Sequence, residues 1–431
     1  MSGTGWEGEV FEVRLGAPGH GGFCVARYEG RVLFVRHGLP GELVRARITE
    51  DRGKSFCRAD AVEILEPSPD RVPATCPVSG PGGAGCCDFS FATPRAQRAL
   101  KAAVVAEQLR RVAGWETEVE VEPIPWGDGA VPDVQGGWRT RVRLVVDAEG
   151  RAGVHRYRST EVIADLRCPQ PVSGAVDGIG ERAWTPGAEL VVAVDGDGLR
   201  HIVELAPSRQ GGRRGGDRRD TAARRAAAHA PRAERVVEGS GRAVQYVAGR
   251  RWEVSATGFW QPHRGAAQRY SDVVAEWSGA SPGATAWDLY SGAGVFAARL
   301  ADQVGATGAV HGVESARSAV ADGAAALRDL PWVDLRAQRV ERWLDERTRS
   351  AAPEVVVLDP PRAGAGKDVV AALAAAEPAR IIHIGCDPAS FARDIGLYRN
   401  AGYTVTHLRA FDAFPATHHV ECLALLERAR P

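Results

Sequence analysis

The chain has 431 residues, of which 44% are hydrophobic and 25% are charged, and its formal net charge at pH 7 is zero. This length exceeds what one hydrophobic core usually supports, so we expect two or three domains. The balanced charge does not by itself indicate a nucleic-acid partner. No apolar run approaches the roughly 20 residues of a membrane span, and the N-terminus lacks a signal-peptide pattern, so we expect a cytoplasmic protein with reduced cysteines and no membrane partner.

The N-terminal residues alternate short apolar stretches with glycine-containing turns. Short strands of this kind are typical of a small barrel. The stretch 21–42 resembles the TRAM domain, an oligonucleotide-binding-type barrel of RNA-modifying enzymes, and this resemblance implies that residues 1–68 hold RNA. Many small barrels bind protein or no ligand, so that alternative stays open. The predicted strands lie at 9–15, 22–28, 31–36, 43–48 and 56–64.

Residues 69–250 are predicted to form a central α+β region. It begins with a proline- and glycine-rich loop that contains several cysteines, and strand patterns follow at 138–146 and 153–158. A helical pattern at 96–110 lies between this loop and the strand patterns. Arginine, glycine and alanine dominate 209–235, which indicates a solvated connector with little to bury.

From about residue 250 strands and helices alternate, which predicts a doubly wound, Rossmann-like α/β domain over 251–431. The strand 285–290 runs into a turn with Gly292 and Gly294, where the backbone can approach a ligand closely. A second strand ends at Glu314, about 20 residues further on, the spacing at which a carboxylate binds the ribose of a nucleoside cofactor. The segment Asp-Leu-Tyr-Ser-Gly-Ala-Gly at 288–294 resembles the first motif of class I S-adenosylmethionine methyltransferases, which implies S-adenosylmethionine as the cofactor.

Two further predicted strands end in polar residues at the same edge of the sheet. Asp359 follows the strand 354–358, and Cys386 follows the strand 379–385. Ligands of open α/β sheets bind at the carboxyl ends of strands, so this edge is the predicted active face. A free cysteine is often a buried apolar residue. One that stands between glycine and aspartate in a loop favours a nucleophile instead.

A thiol and a carboxylate suit methylation of carbon 5 of a pyrimidine, because this carbon is a poor nucleophile until another group adds to carbon 6. Addition of the Cys386 thiolate would activate carbon 5, and Glu421 would then remove its proton so that the thiol can leave. His418 and His419 could also move protons. A histidine beside a strand is as often structural, so they rank second.

Three motifs, at 359–362, 386–394 and 414–421, resemble those of the RNA 5-methyluridine methyltransferase family, and the resemblance covers essentially the whole chain. It implies that Cys386 is the nucleophile and Glu421 the general base. Val295 departs from the family, whose members often have asparagine there. The cofactor contacts that the resemblance implies are Gln261, Tyr290, Glu314 and Asp359, beside the glycines of the turn.

Family members with the barrel commonly bind an iron–sulfur cluster through three cysteines of the early loop and one downstream. Cys76, Cys87 and Cys168 fit this pattern. Ala84 stands at the middle ligand position, and the extra Cys86 lies directly beside Cys87. The resemblance therefore implies a [4Fe-4S] cluster on these four cysteines, with a cluster-free loop as the open alternative.

The predicted function is methylation of carbon 5 of a uridine in RNA, after the base has been flipped into a pocket. The barrel and the cysteine loop resemble the members that act on 23S ribosomal RNA more than those that act on transfer RNA. The alternatives are a transfer-RNA uridine-5 methyltransferase, an RNA cytosine-5 methyltransferase and a catalytically silent RNA-binding factor. The sequence sets neither the modified uridine nor the oligomeric state.

Overall fold

The computed structural model describes residues 5–126, 135–208, 232–347 and 352–428. Of the predicted connector at 209–235, residues 209–231 lie outside these ranges, and the described end enters a strand. No helix in the described ranges is long and apolar enough to cross a membrane.

The N-terminal strands form a curled six-stranded sheet. They are β1 (Val10–Arg14), β2 (Pro18–Gly19), β3 (Phe23–Tyr28), β4 (Arg31–Arg36), β5 (Leu43–Glu50) and β6 (Phe56–Glu66). Their order in the sheet is β1-β5-β6-β4-β3-β2. Alternation decides which face is buried: in β5, Val44, Ala46 and Ile48 enter the core while the residues between them are exposed. All the predicted strands of this region are present, and β2 is an addition.

Two elements at the start of the middle region pack against the C-terminal half of the chain. They are helix α1 (Pro94–Val112) and strand β7 (Val121–Pro123). Strand β7 pairs in parallel with residues 410–412, and α1 buries Val105 and Leu109 in the core of the C-terminal sheet. The first part of the segment 69–250 therefore packs on the C-terminal sheet.

The rest of the middle region forms a second six-stranded sheet and a hairpin. The strands are β8 (Arg141–Val146), β9 (Ala152–His155), β10 (Val162–Ile163), β11 (Glu189–Val194), β12 (Arg200–Leu205) and β13 (Glu234–Glu238), with a 3-10 helix at Ile179–Glu181. Their order is β10-β9-β8-β11-β12-β13, and every pair is antiparallel. The hairpin consists of β14 (Arg242–Val247) and β15 (Arg250–Ser255).

The C-terminal half is a doubly wound α/β domain, as the alternation of strand and helix patterns predicts. Its strands are β16 (Thr285–Leu289), β17 (Ala309–Glu314), β18 (Val333–Ala337), β19 (Val355–Leu358), β20 (Arg380–Gly385), β21 (Tyr403–Asp412) and β22 (Glu421–Arg428). Its helices are α2 (Ala266–Ser278), α3 (Val295–Val304), α4 (Arg317–Ala326), α5 (Val340–Arg347), α6 (Gly366–Ala376) and α7 (Pro388–Asn400).

The strand order of this sheet is β18-β17-β16-β19-β20-β22-β21-β7, and its strands from β18 to β20 are parallel. One hydrophobic core covers each face: α2 and α3 contribute to one, and α1, α5, α6 and α7 to the other. The strand order reverses at β16, which has β17 on one side and β19 on the other. Such a switch point opens a crevice at the carboxyl ends of the strands.

Candidate active site

A cavity of about 950 Å³ lies at this switch point. It is lined by residues from the C-terminal sheet, the cysteine loop and the edge of the middle sheet. Gly294 does not line it. The predicted site residues that the structure does bring together around this one cavity are Gln261, Tyr290, Gly292, Glu314, Asp359, Cys386 and Glu421.

The glycine turn after β16 has three residues in left-handed backbone conformations. The φ angles are 61° at Tyr290, 53° at Gly292 and 76° at Gly294. Gly294 is the N-cap of α3, and a Cβ atom there would lie 3.0 Å from a Leu327 methyl carbon. A Cβ at Gly292 would meet no atom within 4 Å, because that side faces the cavity. Gly294 therefore shapes the turn, and Gly292 leaves room for a ligand.

Two carboxyl groups hold this turn in place. Buried Asp288 accepts a hydrogen bond from the Ala297 backbone at 2.8 Å, which ties the end of β16 to α3. Glu314, at the end of β17, accepts from the Gly292 backbone at 3.2 Å and from the Ala316 backbone at 2.7 Å. Asp288 begins the motif that predicted the cofactor, yet it was not among the predicted site residues.

The loop that follows Asp359 is fixed by helix α7, so the first and second of the three family-like motifs form one structural unit. The Ser390 hydroxyl donates to the carbonyl of Arg362 at 2.8 Å. Asp394 accepts from the Ala365 backbone at 2.7 Å. The polar residues of the 386–394 segment thereby set the position of the Asp359 loop beside Cys386.

The register of the sheet places Cys386 and Glu421 side by side. Strands β20 and β22 are antiparallel, and Gly385 pairs with Cys422. The next residue outward on each strand is Cys386 on one and Glu421 on the other. Both side chains line the cavity, and no hydrogen-bond partner is present for the buried Oε1 of Glu421 among the described residues.

The residue after Cys386 connects the catalytic loop to the barrel. Asp387 caps α7 by accepting from the backbone N–H groups of Ala389 and Ser390. Its other carboxylate oxygen lies 3.0 Å from Nε2 of His20, which comes from the N-terminal sheet region. The barrel therefore contacts the loop that holds the candidate nucleophile.

The surroundings raise the pKa values of three acidic groups of the cavity, Cys386, Asp359 and Glu421. Burial raises the pKa of the Cys386 thiol to about 12, with Glu421 and Asp359 adding to the shift and Arg362 opposing it. Burial also raises the pKa of Asp359 to about 7. The pKa of Glu421 is raised well above its ordinary value by burial and then by Asp359, while Arg362 lowers it.

The loop before Glu421 is anchored by α1 and by the cysteine loop. Buried Lys101 donates to Asp412 at 2.6 Å and to the carbonyl of Phe414 at 3.0 Å. Gln97 accepts from the Ala416 backbone at 2.7 Å. These contacts give α1 a direct part in placing the candidate base.

Of the two histidines before Glu421, only His419 lines the cavity. Burial, and then His418, lowers the pKa of His419 to about 3, so its ring is neutral. His418 lies 2.5 Å from a carboxylate oxygen of Asp88. Asp88 also accepts from Arg36 of the barrel at 2.8 Å, so this carboxylate joins three parts of the chain.

One wall of the cavity comes from the middle region and was not predicted from the sequence. Trp138 and Arg139 line it, just before β8. Arg141, on β8, donates to the carbonyls of Ala256 at 2.9 Å and Gly258 at 2.7 Å, and so fixes the loop that leads to Gln261. The sequence offered only one indication, a tryptophan followed by alternating arginines in an apolar strand.

The structure brings three of the four predicted cluster ligands into one group, with the fourth beside it. The sulfur atoms of Cys76, Cys87 and Cys168 lie within 4.8 Å of one another, and Cys86 is not a member of this group. Cys86 lines the large cavity, and its side chain also contacts that of Cys87. Three grouped cysteines with a fourth beside them are donors of the kind that hold an iron–sulfur cluster, so the cluster stays a prediction.

Comparisons with known proteins agree with this architecture. A family model described as tRNA (Uracil-5-)-methyltransferase matches residues 336–429, and a TRAM domain model matches residues 6–62. A relative described as an RNA methyltransferase, from Streptomyces avermitilis, is 44% identical, with 98% of this chain and 99% of the relative covered. The 23S rRNA (uracil(1939)-C(5))-methyltransferase RlmD of Alkalilimnicola ehrlichii is 30% identical, with 97% of both chains covered.

The structure of Pyrococcus abyssi tRNA (uracil-54, C5)-methyltransferase in complex with S-adenosyl-L-homocysteine superposes with a TM-score of 0.68. It covers 96% of this chain and 100% of its own, at 19% identity, and so supports the fold. Fold and cavity together define a Rossmann-like S-adenosylmethionine-dependent methyltransferase. The chain belongs to the RNA 5-methyluridine methyltransferase family, that is, to the S-adenosylmethionine-dependent RNA (uracil-C5-)methyltransferases with an N-terminal TRAM domain.

Proposed function

We propose that the protein methylates carbon 5 of a uridine in 23S ribosomal RNA through a covalent bond between Cys386 and carbon 6 of the uracil. The observation that supports this most directly is the position of Cys386 beside Glu421 in one cavity. The cavity volume of about 950 Å³ is at the upper end of ligand sites, which leaves room for a nucleoside cofactor and a flipped base.

The cofactor side of the cavity consists of the turn after β16 and the strand ends next to it. Glu314 binds the ribose hydroxyls, because its carboxylate is held at the cavity edge by two backbone N–H groups. Gln261, Tyr290 and Asp359 complete the cofactor contacts, and Gly292 leaves the approach open. When bound, S-adenosylmethionine supplies a positively charged sulfonium and the methyl group that carbon 5 accepts.

Cys386 acts as the nucleophile. With a pKa of about 12 it is a protonated thiol in the free protein at neutral pH. The thiol passes its proton to solvent as the uracil binds, and the thiolate then forms a bond to carbon 6 while the electron pair of the 5,6 double bond moves onto carbon 5 and its conjugated carbonyl. Arg362 favours the anionic forms of both Cys386 and Glu421, since it lowers the pKa of each.

Glu421 acts as the general base. After carbon 5 has accepted the methyl group, the carboxylate removes the remaining proton from that carbon, the double bond forms again and the sulfur leaves carbon 6. The expelled thiolate regains the proton that the thiol released at the start. The net proton of the cycle is therefore the one that Glu421 takes, and no step needs an iron–sulfur cluster.

The RNA reaches this cavity past the barrel and an exposed aromatic residue. Phe259, two residues before Gln261, lines the cavity and is 71% exposed. An aromatic face at the entrance stacks on a base that has left its helix. The barrel, which is joined to the catalytic loop through His20 and Asp387, holds the flanking nucleotides.

The choice of ribosomal RNA rests on the relatives. The Alkalilimnicola ehrlichii relative, which matches the chain over nearly its full length, is named for a uridine of 23S rRNA. The Pyrococcus abyssi protein is named for a transfer-RNA uridine, but its similarity of 19% supports the fold alone. A transfer-RNA target is the second candidate, because the matching family model has that description.

The test is mass-spectrometric mapping of methylated pyrimidines in ribosomal and transfer RNA from cells with and without the gene. We expect one 23S uridine to lose its methyl group in the deletion, and to regain it with the wild-type gene but not with Cys386→Ala. A change confined to transfer RNA would establish the second candidate. Loss of 5-methylcytidine would indicate a cytosine enzyme, and no change in either RNA would indicate a silent RNA-binding factor.

A further inference from the structure

Tyr270 of helix α2 carries a hydroxyl group that packing does not require. The residue is 0% exposed and lies on the apolar face of the helix with Ala266, Val273, Val274 and Trp277. A phenylalanine ring would fill the same space. The tyrosine hydroxyl has no hydrogen-bond partner among the described residues. Burial of an unpartnered hydroxyl costs free energy, and such groups occur where a protein needs them for chemistry.

The register of the sheet places the Glu421 carboxyl on the same side as Tyr270. Glu421 is the first residue of β22, and by alternation it shares a face with Leu423, which belongs to the hydrophobic core that α2 covers. Its paired residue on β21 is Phe411, and side chains paired in this way lie on one face. The Phe411 ring contacts the ring of Tyr270, with centroids 5.9 Å apart. Tyr270 therefore packs against the residue directly opposite the candidate base.

The hydroxyl of Tyr270 and one oxygen of Glu421 are a donor and an acceptor without partners. Oε1 of Glu421 is buried and, like the tyrosine hydroxyl, makes no hydrogen bond to the described residues. Burial, and then Glu421, raises the pKa of Tyr270 well above its ordinary value, so the phenol remains a proton donor across the neutral range. Hydrogen bonds of catalytic groups are often long or unmade in a free enzyme and tighten when the substrate binds.

The other titratable and charged groups around Glu421 face it from the cavity. Burial, and then Asp359, raises the pKa of Glu421, and Arg362 lowers it. The Cys386 thiol lies on the adjacent strand, and His419, whose low pKa leaves its ring neutral, lines the same cavity. A general base must be ionised to accept a proton, and a hydrogen bond donated to a carboxylate favours its ionised form. A donor on the α2 side therefore adds to the effect of Arg362.

We propose that Tyr270 is a positioning residue for the general base: its hydroxyl donates to Oε1 of Glu421 when the uracil fills the cavity. This hydrogen bond holds the carboxylate ionised and turns its other oxygen to carbon 5. The inference rests on the proposed function, in which Glu421 removes the carbon 5 proton. Tyr270 does not line the cavity, so it acts through Glu421 and affects the elimination step alone.

The test is Tyr270→Phe, which removes one oxygen atom and keeps the ring. Rapid-quench measurements with uridine RNA and S-adenosylmethionine follow the breakdown of the covalent adduct, and trapping on 5-fluorouridine RNA follows its formation. We expect breakdown to slow about 10- to 100-fold at neutral pH, since the base loses one hydrogen bond to its charged form. Adduct formation and the KM for S-adenosylmethionine should stay unchanged, because both precede elimination.

The pH dependence gives a readout that a merely structural role would not move. Loss of the donor raises the pKa of Glu421 further, so the ionised fraction of the base at neutral pH falls. Breakdown of the adduct in Tyr270→Phe should therefore recover about tenfold for each pH unit above neutral, until the carboxyl group is ionised. The melting temperature should not fall, because the hydroxyl has no partner in the free protein.

Tyr398 supplies a matched control. It lies on α7, on the other face of the sheet, is also 0% exposed, and its hydroxyl also has no partner among the described residues. Tyr398→Phe should leave formation and breakdown of the adduct unchanged. In a Glu421→Gln background, Tyr270→Phe should cause no further loss, because the two residues act as one unit.

Wild-type breakdown of the adduct in Tyr270→Phe would overturn the proposal. So would an equal loss of formation and breakdown, which indicates a general distortion of the cavity, or a loss that high pH does not relieve. A further loss in the Glu421→Gln background would show that Tyr270 does not act through the base. Absence of any adduct in the wild-type enzyme would contradict the proposed function, and this inference with it.

Discussion

The chain places cysteine sulfur in two opposite environments. Cys386 stands alone at the end of a strand, half-buried, with carboxyl groups as neighbours in an open cavity. Cys76, Cys87 and Cys168 face one another behind the wall of that cavity, with N–H donors around them.

The difference shows that the surroundings of a thiol decide what it binds. Burial, and then the carboxyl groups, raise the pKa of Cys386 so that it stays protonated until a substrate arrives, and the open cavity gives a carbon atom access to it. Of the group of three, Cys76 and Cys87 are only 1% and 2% exposed, so a substrate carbon has no access to them. One sequence feature, an unpaired cysteine, therefore has two chemical outcomes in the same fold.

The largest expected effect comes from removing the lone sulfur. Cys386→Ala should lower methyl transfer at least about 10⁴-fold, because Cys386 is the thiol that the sheet register places beside Glu421. Binding of S-adenosylmethionine, measured by calorimetry, should stay within a few fold. Cys57→Ala, a change in the core of the barrel, is the control and should leave the rate of the chemical step unchanged. Substantial turnover by the Cys386 variant would remove the distinction between the two groups.

Glu421→Gln should slow turnover by about 10² to 10⁴, because the step that removes the carbon 5 proton loses its base. The expected species is a covalent protein–RNA adduct that accumulates with ordinary uridine RNA, visible by denaturing electrophoresis. Glu427→Gln, at the far end of the same strand, is the matched control. A variant that is slow but forms no adduct would place Glu421 before the addition step.

Glu314→Gln should raise the KM for S-adenosylmethionine about 10- to 100-fold with a smaller change in kcat, since a charged hydrogen bond contributes about 1.5–3 kcal/mol. Initial-rate kinetics measure both constants. Asp334→Asn, on the neighbouring strand β18, is the control. An unchanged KM would mean that the ribose binds elsewhere in the cavity.

The smallest effect concerns pH and compares the two thiol environments directly. Because the pKa of Cys386 is raised to about 12, its thiolate fraction rises about tenfold for each pH unit below that value. Iodoacetamide labelling of the Cys386 peptide should accelerate accordingly, without a plateau near neutral pH. Cys76 and Cys87, which are 1% and 2% exposed, should stay unlabelled until the chain unfolds. A plateau for Cys386 at neutral pH would show that its thiolate is already stabilised in the free protein.

Local patterns were enough to predict the elements that position the catalytic face. Alternating apolar residues define β5, and strands that end in Glu314, Asp359 and Cys386 define one edge of a parallel sheet. Strand position and the polar residue at a strand's end both depend on residues close together in the sequence, so they can be predicted from the sequence alone.

Contacts between distant segments could not be predicted in the same way. Strand β7 has three residues and no detectable period, yet it completes the C-terminal sheet. Trp138 and Arg139 reach the cavity only because β8 packs beside the loop before Gln261.

The central claim is that Cys386 forms a bond with carbon 6 of a uracil, and RNA that contains 5-fluorouridine tests it most directly. Fluorine at carbon 5 cannot be removed as a proton, so elimination stops and the adduct persists. We predict a stable adduct that forms only with S-adenosylmethionine present, and whose nucleotide-bearing peptide contains Cys386. An adduct on another cysteine, or tight RNA binding without any adduct, would contradict the account.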